Sequence, residues 1–123
     1  MKKLQNNYTT PEQSKRLLEL GLPVSSADCF SRPNGEEIGI YQPVAPCNPD
    51  CKIDKFIAYA NKRYGRTYYI PVWSVGRLIE IYEYCTDEKF QRESSVCNLM
   101  ADCIRSIQLA IRENRFDFSK LED

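Results

Sequence analysis

The sequence predicts a small single α+β domain, with three to four helices packed with a small, short-stranded sheet. Its 123 residues are 42% hydrophobic and 28% charged, which is typical of a globular protein of one domain. Several segments repeat apolar residues at three- and four-residue steps, the pattern of a helix with one buried face. Short aromatic and β-branched runs lie between them and indicate strands. We expect residues 1–9 to form a flexible lead and residues 10–123 to form the globular domain.

The first helix, predicted over residues 11–20, has strong signals at both ends. Thr10 is a good capping residue, Pro11 suits the first helical position, and Gln13 is placed to complete a capping box with Thr10. Gly21 favours the left-handed conformation that ends a helix. This helix is therefore bounded on both sides by the sequence alone.

The connection after this helix carries weaker signals. Ser25 or Ser26 can cap a single turn that runs through Phe30, and an edge strand is predicted at about residues 38–42, where Gly39 disfavours a central position. The first helix and this turn could also open a helix-turn-helix, but the turn is too short for a recognition helix.

A strand and a helix meet in the segment IPVWSVGRLIEIYEYC, residues 70–85. Pro71 is expected to end strand pairing because it has no N–H to donate, so the strand is predicted over about 67–70. Ser74 can accept a hydrogen bond from the first free helical amides. The sequence therefore predicts a helix over about 74–85.

Trp73 is the single tryptophan and has two interpretations. It would lie just before the Ser74 cap and pack against Leu78, the arrangement of a hydrophobic staple. An exposed tryptophan could instead stack on a base or a sugar ring. The staple already accounts for the residue, so we expect Trp73 to lie in the core.

Two more helices complete the predicted domain. Asp54 can cap a helix over about 54–64, and Ser94 or Ser95 can cap the last and longest helix, over about 95–114. The apolar positions of the 54–64 helix are Phe56, Ile57, Ala60 and Tyr64.

Charge and hydropathy exclude some partners. Lys and Arg together number 17, as do Asp and Glu, so the net charge gives no argument for nucleic acid or an anionic membrane. No apolar run approaches the ~20 residues of a membrane span. The start, MKKLQNNYTT, lacks the apolar region of a signal peptide. We therefore expect a cytoplasmic protein without a membrane partner.

The six cysteines are expected to be reduced in that compartment. Cys85 and Cys103 lie on apolar helix faces, where cysteine behaves as a small hydrophobe. Cys47 and Cys51 form the only pair with a tolerable metal-ligand spacing, but a zinc site needs about four ligands and the chain has no histidine. We predict no metal and no cofactor, with Cys47 and Cys51 as weak candidates.

The sequence offers no catalytic motif. It contains no histidine for general acid or base chemistry, no glycine-rich phosphate loop and no GxSxG. A cysteine nucleophile would lack its usual imidazole partner. We therefore predict no enzymatic activity and no catalytic residue.

Charge is nevertheless unevenly distributed. Residues 52–66 contain five basic side chains and one acidic one, whereas residues 77–93 contain three basic and five acidic ones. On a helix, Lys55, Tyr59 and Lys62 share one side, which could bind phosphates and stack on bases or be an ordinary solvated face. The zero net charge favours the solvated face. The candidate binding surface is Lys55, Tyr59, Lys62, Arg63 and Arg66.

Two stretches of the chain resemble a group of short proteins encoded in genomes of gut Bacteroides, their relatives, and their phages and mobile elements. They are YTTPEQSKRLLELGLPVSSAD at residues 8–28 and IPVWSVGRLIEIYE at residues 70–83. In that group a T-x-E-Q-S-x-x-L-x-x-L-G helix precedes a helix that opens with W-S-L/V, and a C-terminal helix closes the chain. The matching residues are Thr10, Gln13, Leu17, Gly21, Trp73, Ser74 and Leu78.

The resemblance implies an architecture and no chemistry. Each matching residue is a cap, a helix stop or part of an apolar face, and the group supplies no catalytic residue. The chain departs from the group in its 52–66 helix and in the loop that contains Cys47 and Cys51. A function particular to this chain is therefore expected in those segments.

Two functional hypotheses follow. The first is a small cytoplasmic accessory protein that binds another protein, or a second copy of itself, without catalysis. An exposed apolar surface beside Trp73 or an interface on the last helix would support it. The alternative is a nucleic-acid-binding accessory factor of a phage or mobile element that uses the basic surface.

Overall fold

The computed structural model describes residues 7–36, 38–40, 52–91 and 98–121. Within these ranges, four α-helices accompany one three-stranded sheet, which confirms the predicted α+β class. The elements in chain order are α1 (Pro11–Leu20), a 3-10 turn (Val24–Ser26), β1 (Cys29–Ser31), β2 (Gly39–Ile40), α2 (Ile53–Tyr64), β3 (Ile70–Val72), α3 (Val75–Thr86), α4 (Leu99–Arg112) and a C-terminal 3-10 turn (Phe118–Leu121).

The sheet is antiparallel with the strand order β2-β1-β3. Its central strand, β1, was not predicted: the expected single turn through Phe30 is wrong, because the 3-10 turn stops at Ser26 and Phe30 lies in β1. Cys29 pairs with Ile40 of β2 on one side and with Val72 of β3 on the other. A strand in place of a second helix also removes the helix-turn-helix interpretation.

The strand before α3 lies later in the chain than predicted. Pro71 was expected to end strand pairing, yet it lies inside β3, where it pairs with Phe30. The reason is that β3 is an edge strand, and an edge strand tolerates proline when the missing N–H would have faced away from the sheet.

The boundaries of α1 match the prediction. The Thr10 side chain accepts from the Gln13 amide, and the Gln13 side chain accepts from the Thr10 amide, so both bonds of the capping box are present. Gly21 ends the helix with a φ of 112°, in the left-handed region. The Leu22 amide then donates to the Leu17 carbonyl, which closes the helix end.

Two other helix starts differ from the prediction. Asp54 does not cap α2; Lys52 occupies the cap position but its side chain makes no capping hydrogen bond, and Asp54 lies in the first turn. The last helix begins at Leu99, where the Asn98 side chain accepts from the Ala101 amide at 2.7 Å. The predicted caps Ser94 and Ser95 lie outside the described residues.

The core lies between the helices, around the start of α3. Trp73 and Leu78 are both fully buried and belong to one apolar cluster, as the predicted staple requires. The cluster also receives the apolar stripe of α4 and Phe116 from the C-terminal segment. Its buried members include Leu17, Leu22, Ile53, Ile57, Ile81, Tyr82, Cys85, Met100, Cys103, Ile104, Ile107 and Ala110.

Buried polar groups hold the backbone where β3 becomes α3, a site that we call the Trp73–Ser74 junction. The Trp73 amide donates to the Thr9 hydroxyl at 3.1 Å, and the Thr9 amide donates to the Trp73 carbonyl at 3.0 Å. The Trp73 indole N–H donates to the Ser26 hydroxyl at 3.1 Å. Tyr8 also forms an isolated antiparallel β-bridge with Ser74. Tyr8 and Thr9, which we expected in the flexible lead, therefore pair with the folded domain.

Asp28 completes the junction from the segment between the 3-10 turn and β1. Its carboxylate accepts from the Ser74 amide at 2.9 Å and from the Ser74 hydroxyl at 2.6 Å. The same hydroxyl accepts from the Arg77 amide, which confirms Ser74 as the cap of α3. The Ser74 hydroxyl thus has a structural role, since it both caps the helix and donates to Asp28.

No helix among the residues that the structure describes is long and apolar enough to cross a membrane.

We expect Asp28→Ala to lower the free energy of unfolding by about 1.5–3 kcal/mol, because hydrogen bonds to a charged group contribute about that much. Asp28→Asn keeps one acceptor for the Ser74 amide and should lose less. Urea denaturation of the two variants and the wild type measures both losses. An Asp28→Ala protein as stable as the wild type would show that the carboxylate does not hold the junction.

Candidate functional site

The predicted basic surface lies on the outer side of α2, and we call Lys55, Tyr59, Lys62, Arg63 and Arg66 the α2 face. All five residues are exposed, and 61% of Tyr59 is accessible. The opposite side of the helix buries Ile53, Ile57 and Ala60. The helical spacing of α2 thus separates a solvent-exposed basic side from a buried apolar side, as the sequence predicts.

The cations of the α2 face have few partners. In the part of the chain that the structure describes, the side chains of Lys55, Lys62 and Arg66 make no hydrogen bond or ion pair. The guanidinium of Arg63 lies 5.6 Å from the centroid of the Tyr64 ring, a cation–π contact at an exposed site. These positive charges therefore remain available to an anionic ligand.

Some of the basic side chains elsewhere are paired within the fold. Arg115 lies 2.8 Å from a carboxylate oxygen of Glu88, and Lys120 lies 2.9 Å from one of Asp87. The lack of internal partners on the α2 face is therefore not common to every basic side chain of this protein.

The sequence around the α2 face contains no compensating acid. Residues 55–79 include five basic side chains and no aspartate or glutamate. In contrast, the exposed side of α1 places Lys15 and Arg16 between Glu12 and Glu19. Because charges of one sign add their potentials, the α2 segment attracts anions in a way that α1 does not.

Five rings from β1, α2 and the turn before β3 form what we call the aromatic ladder: Tyr64, Tyr68, Tyr69, Phe30 and Phe56. Ring centroids lie 4.9 Å apart between Tyr64 and Tyr68 and 4.7 Å apart between Tyr68 and Tyr69. Tyr69 continues to Phe30 at 4.7 Å and to Phe56 at 5.9 Å. These distances are within the range of favourable aromatic pairs.

The ladder runs from the core to the solvent. Phe30, Phe56 and Tyr69 pack against the apolar core, whereas 60% of Tyr64 is exposed. Tyr64 was predicted as an inward apolar position; the helix extends beyond the core at its last residue, so the periodic pattern no longer implies burial there. The tyrosines clustered around Gly65 were the signal that could have indicated the ladder.

One side chain fixes the ladder to α2. The Asn61 side chain accepts from the Tyr69 amide at 2.8 Å and donates to the Tyr69 carbonyl at 3.3 Å. Both backbone groups of Tyr69 are therefore held by the helix. The guanidinium of Arg32 lies 4.2 Å above the Tyr68 ring and adds a second cation to the ladder.

A cavity of about 390 Å³ lies between α3 and the C-terminal segment. Its cations already have partners: the Arg77 Nε donates to the Ser26 carbonyl at 2.7 Å, and the Lys120 Nζ donates to the Tyr84 carbonyl at 3.0 Å. These contacts indicate side chains that hold the fold together, so we do not assign this cavity as the functional site.

The cysteines of the described residues have the properties of core residues. Cys29, Cys85 and Cys103 are buried, and none of the three is in a disulfide bond. Burial raises the pKa of the Cys29 thiol to about 12, and the Asp28 carboxylate beside it adds to the effect. Burial likewise raises the pKa of Cys85 to about 11. Both thiols remain protonated at neutral pH and are poor nucleophiles.

A metal site is not evident either. Among residues 7–36, 38–40, 52–91 and 98–121, no group of three or more His, Cys, Asp or Glu residues could hold a metal ion. The weak metal candidates Cys47 and Cys51 lie outside the described residues.

Comparisons of the chain with models of protein families, with curated proteins and with solved structures found no match. Function is therefore inferred from the side chains themselves. The α2 face supplies cations without internal partners, and the aromatic ladder supplies an exposed ring next to them.

We expect Cys29 and Cys85 to resist alkylation by iodoacetamide at pH 8 in the native protein. The thiolate fraction of a thiol with a pKa of about 12 is roughly a thousandfold below that of one at the ordinary 9.0. Both should react rapidly in urea, as peptide mass spectrometry can show. Equal labelling of Cys29 in the native and unfolded protein would contradict its burial.

Proposed function

We propose that the protein is a non-catalytic accessory factor that binds nucleic acid through the α2 face. The observation that carries this proposal is the cluster of exposed cations on that face, which have no ion-pair partner in the described residues and no acidic neighbour across residues 55–79. Phosphate backbones bind such clusters with the release of counterions. A place in the cytoplasm, and among the proteins of phages or mobile elements, belongs to the same proposal.

The composition of the exposed ring systems favours nucleic acid over a protein partner. Tyr59 and Tyr64 are both about three-fifths exposed and lie on or beside the cations of α2. Tyrosine combined with Lys and Arg is the usual composition of surfaces that follow a nucleic-acid backbone and stack on bases. The zero net charge of the chain does not oppose this, because the acidic residues lie in other segments.

The protein-binding hypothesis has less support. Trp73 is fully buried and so offers no apolar surface of its own to a partner. Most of the apolar stripe of α4 is also covered, with Ile107 fully buried, although Leu109 is exposed. Self-association through Trp73 or Ile107 would require that the core open, so we rank binding to a protein second.

Charge reversal on the α2 face tests the proposal. We expect Lys62→Glu/Arg63→Glu to weaken binding of fluorescein-labelled 20-residue DNA and RNA strands at least tenfold, as measured by anisotropy. For the wild type, the logarithm of the binding constant should fall with the logarithm of salt concentration with a slope of about −3, if four cations contact phosphates of a single strand.

The matched control is Lys15→Glu/Arg16→Glu, which makes the same charge change at two adjacent exposed positions of α1. It should retain most of the affinity. Absence of binding at 50 mM salt to either single or double strands would overturn the proposal. Equal losses in the two double variants would also overturn it, since they would indicate a response to net charge alone.

A further inference from the structure

The exposed end of the aromatic ladder combines an accessible ring with contacts that hold it in place, which binding by charge alone does not require. Tyr64 exposes 60% of its area while its ring contacts that of Tyr68, with the centroids 4.9 Å apart. Tyr68 in turn contacts Tyr69, whose backbone is held by Asn61. An exposed ring is thus connected through aromatic contacts to the core.

This anchoring reduces the cost of stacking. A flexible side chain loses conformational freedom when a ligand immobilises it, which weakens binding by about 0.5–1.5 kcal/mol per side chain. Tyr64 is already packed on one side against the ladder, so less of that freedom remains to be lost. The 60% of Tyr64 that remains accessible can contact a further planar group.

The cations next to Tyr64 indicate the charge of that planar group. Arg63 lies over the Tyr64 ring at 5.6 Å, and Arg66 lies in the turn that joins Tyr64 to Tyr68. Arg32 lies over the Tyr68 ring at 4.2 Å. A ligand that presents flat aromatic groups linked by negative charges would match rings and cations at the same time.

We infer that the aromatic ladder, together with the α2 face, selects unpaired nucleotides, so that the ligand is single-stranded DNA or RNA with a base stacked on Tyr64. This inference rests on the proposed function. Bases inside a duplex are stacked on each other and do not offer a face to a protein side chain, whereas an unpaired base does. The phosphates that flank the stacked base would lie near Arg63 and Arg66.

Anisotropy with four labelled or competing probes tests the inference: oligothymidine, oligouridine, a 20-base-pair duplex, and long-chain polyphosphate. At 100 mM salt the wild type should bind at least one single strand tenfold or more tighter than the duplex. The ratio between oligothymidine and oligouridine distinguishes DNA from RNA as the source of the unpaired bases. Tighter binding of either oligothymidine or oligouridine than of the duplex supports the inference.

Tyr64→Ala should weaken binding of the preferred strand about 5- to 150-fold, the range for loss of one stacked base. Tyr64→Phe keeps the ring and should bind like the wild type. Tyr84→Ala is the matched control, because Tyr84 is 59% exposed on α3 with Lys120 at 5.6 Å from its ring, but lies in the acidic segment. It should have no effect.

Three results would overturn the inference while the proposed function stands. The first is equal affinity for the duplex and the single strand, and the second is equal affinity for polyphosphate and the single strand. The third is a Tyr64→Ala variant that binds single strands as tightly as the wild type. In each case Lys62→Glu/Arg63→Glu would still abolish binding. If no probe binds the wild type, the proposed function and the inference fail together. Thermal unfolding of each variant confirms that it is folded, which Tyr64 as an exposed residue should permit.

Discussion

The fold depends on hydrogen bonds made inside the core at the Trp73–Ser74 junction. Buried polar groups are costly unless they are paired, so the amides of Trp73 and Ser74 must find acceptors where strand pairing ends and helical bonding has not begun. Thr9 and Asp28 supply those acceptors, and Ser26 accepts from the indole. Segments far apart in sequence are thereby joined at one point, while the tryptophan ring fills the centre of the core.

The candidate interface is a consequence of this arrangement. The junction fixes β3, and β3 pairs with β1, which brings Phe30 against Tyr69. Asn61 then holds the backbone of Tyr69 to α2, so the helix can present only one side to the core. The cations of the α2 face lie on the other side. The same contacts that stabilise the sheet therefore orient the rings and charges that we assign to binding.

Signals that act over a few residues were predictable from the sequence. The caps at Thr10 and Ser74 and the stop at Gly21 each depend on neighbours within one helical turn. Strand β1 was missed because its stability comes from partners distant in sequence, and the interior position of Pro71 depends on β3 being an edge strand. The basic side of α2 followed from helical spacing, but the aromatic ladder did not, since it combines side chains from β1, α2 and the turn before β3.

The most direct test is a titration of ¹⁵N-labelled protein with unlabelled single strands, followed by two-dimensional NMR. The account predicts that backbone amide shifts concentrate at residues 55–68, while the single indole N–H signal, from Trp73, stays in place because it donates to Ser26 inside the core. Shifts concentrated on α4, or a moving Trp73 signal with residues 55–68 unaffected, would contradict it.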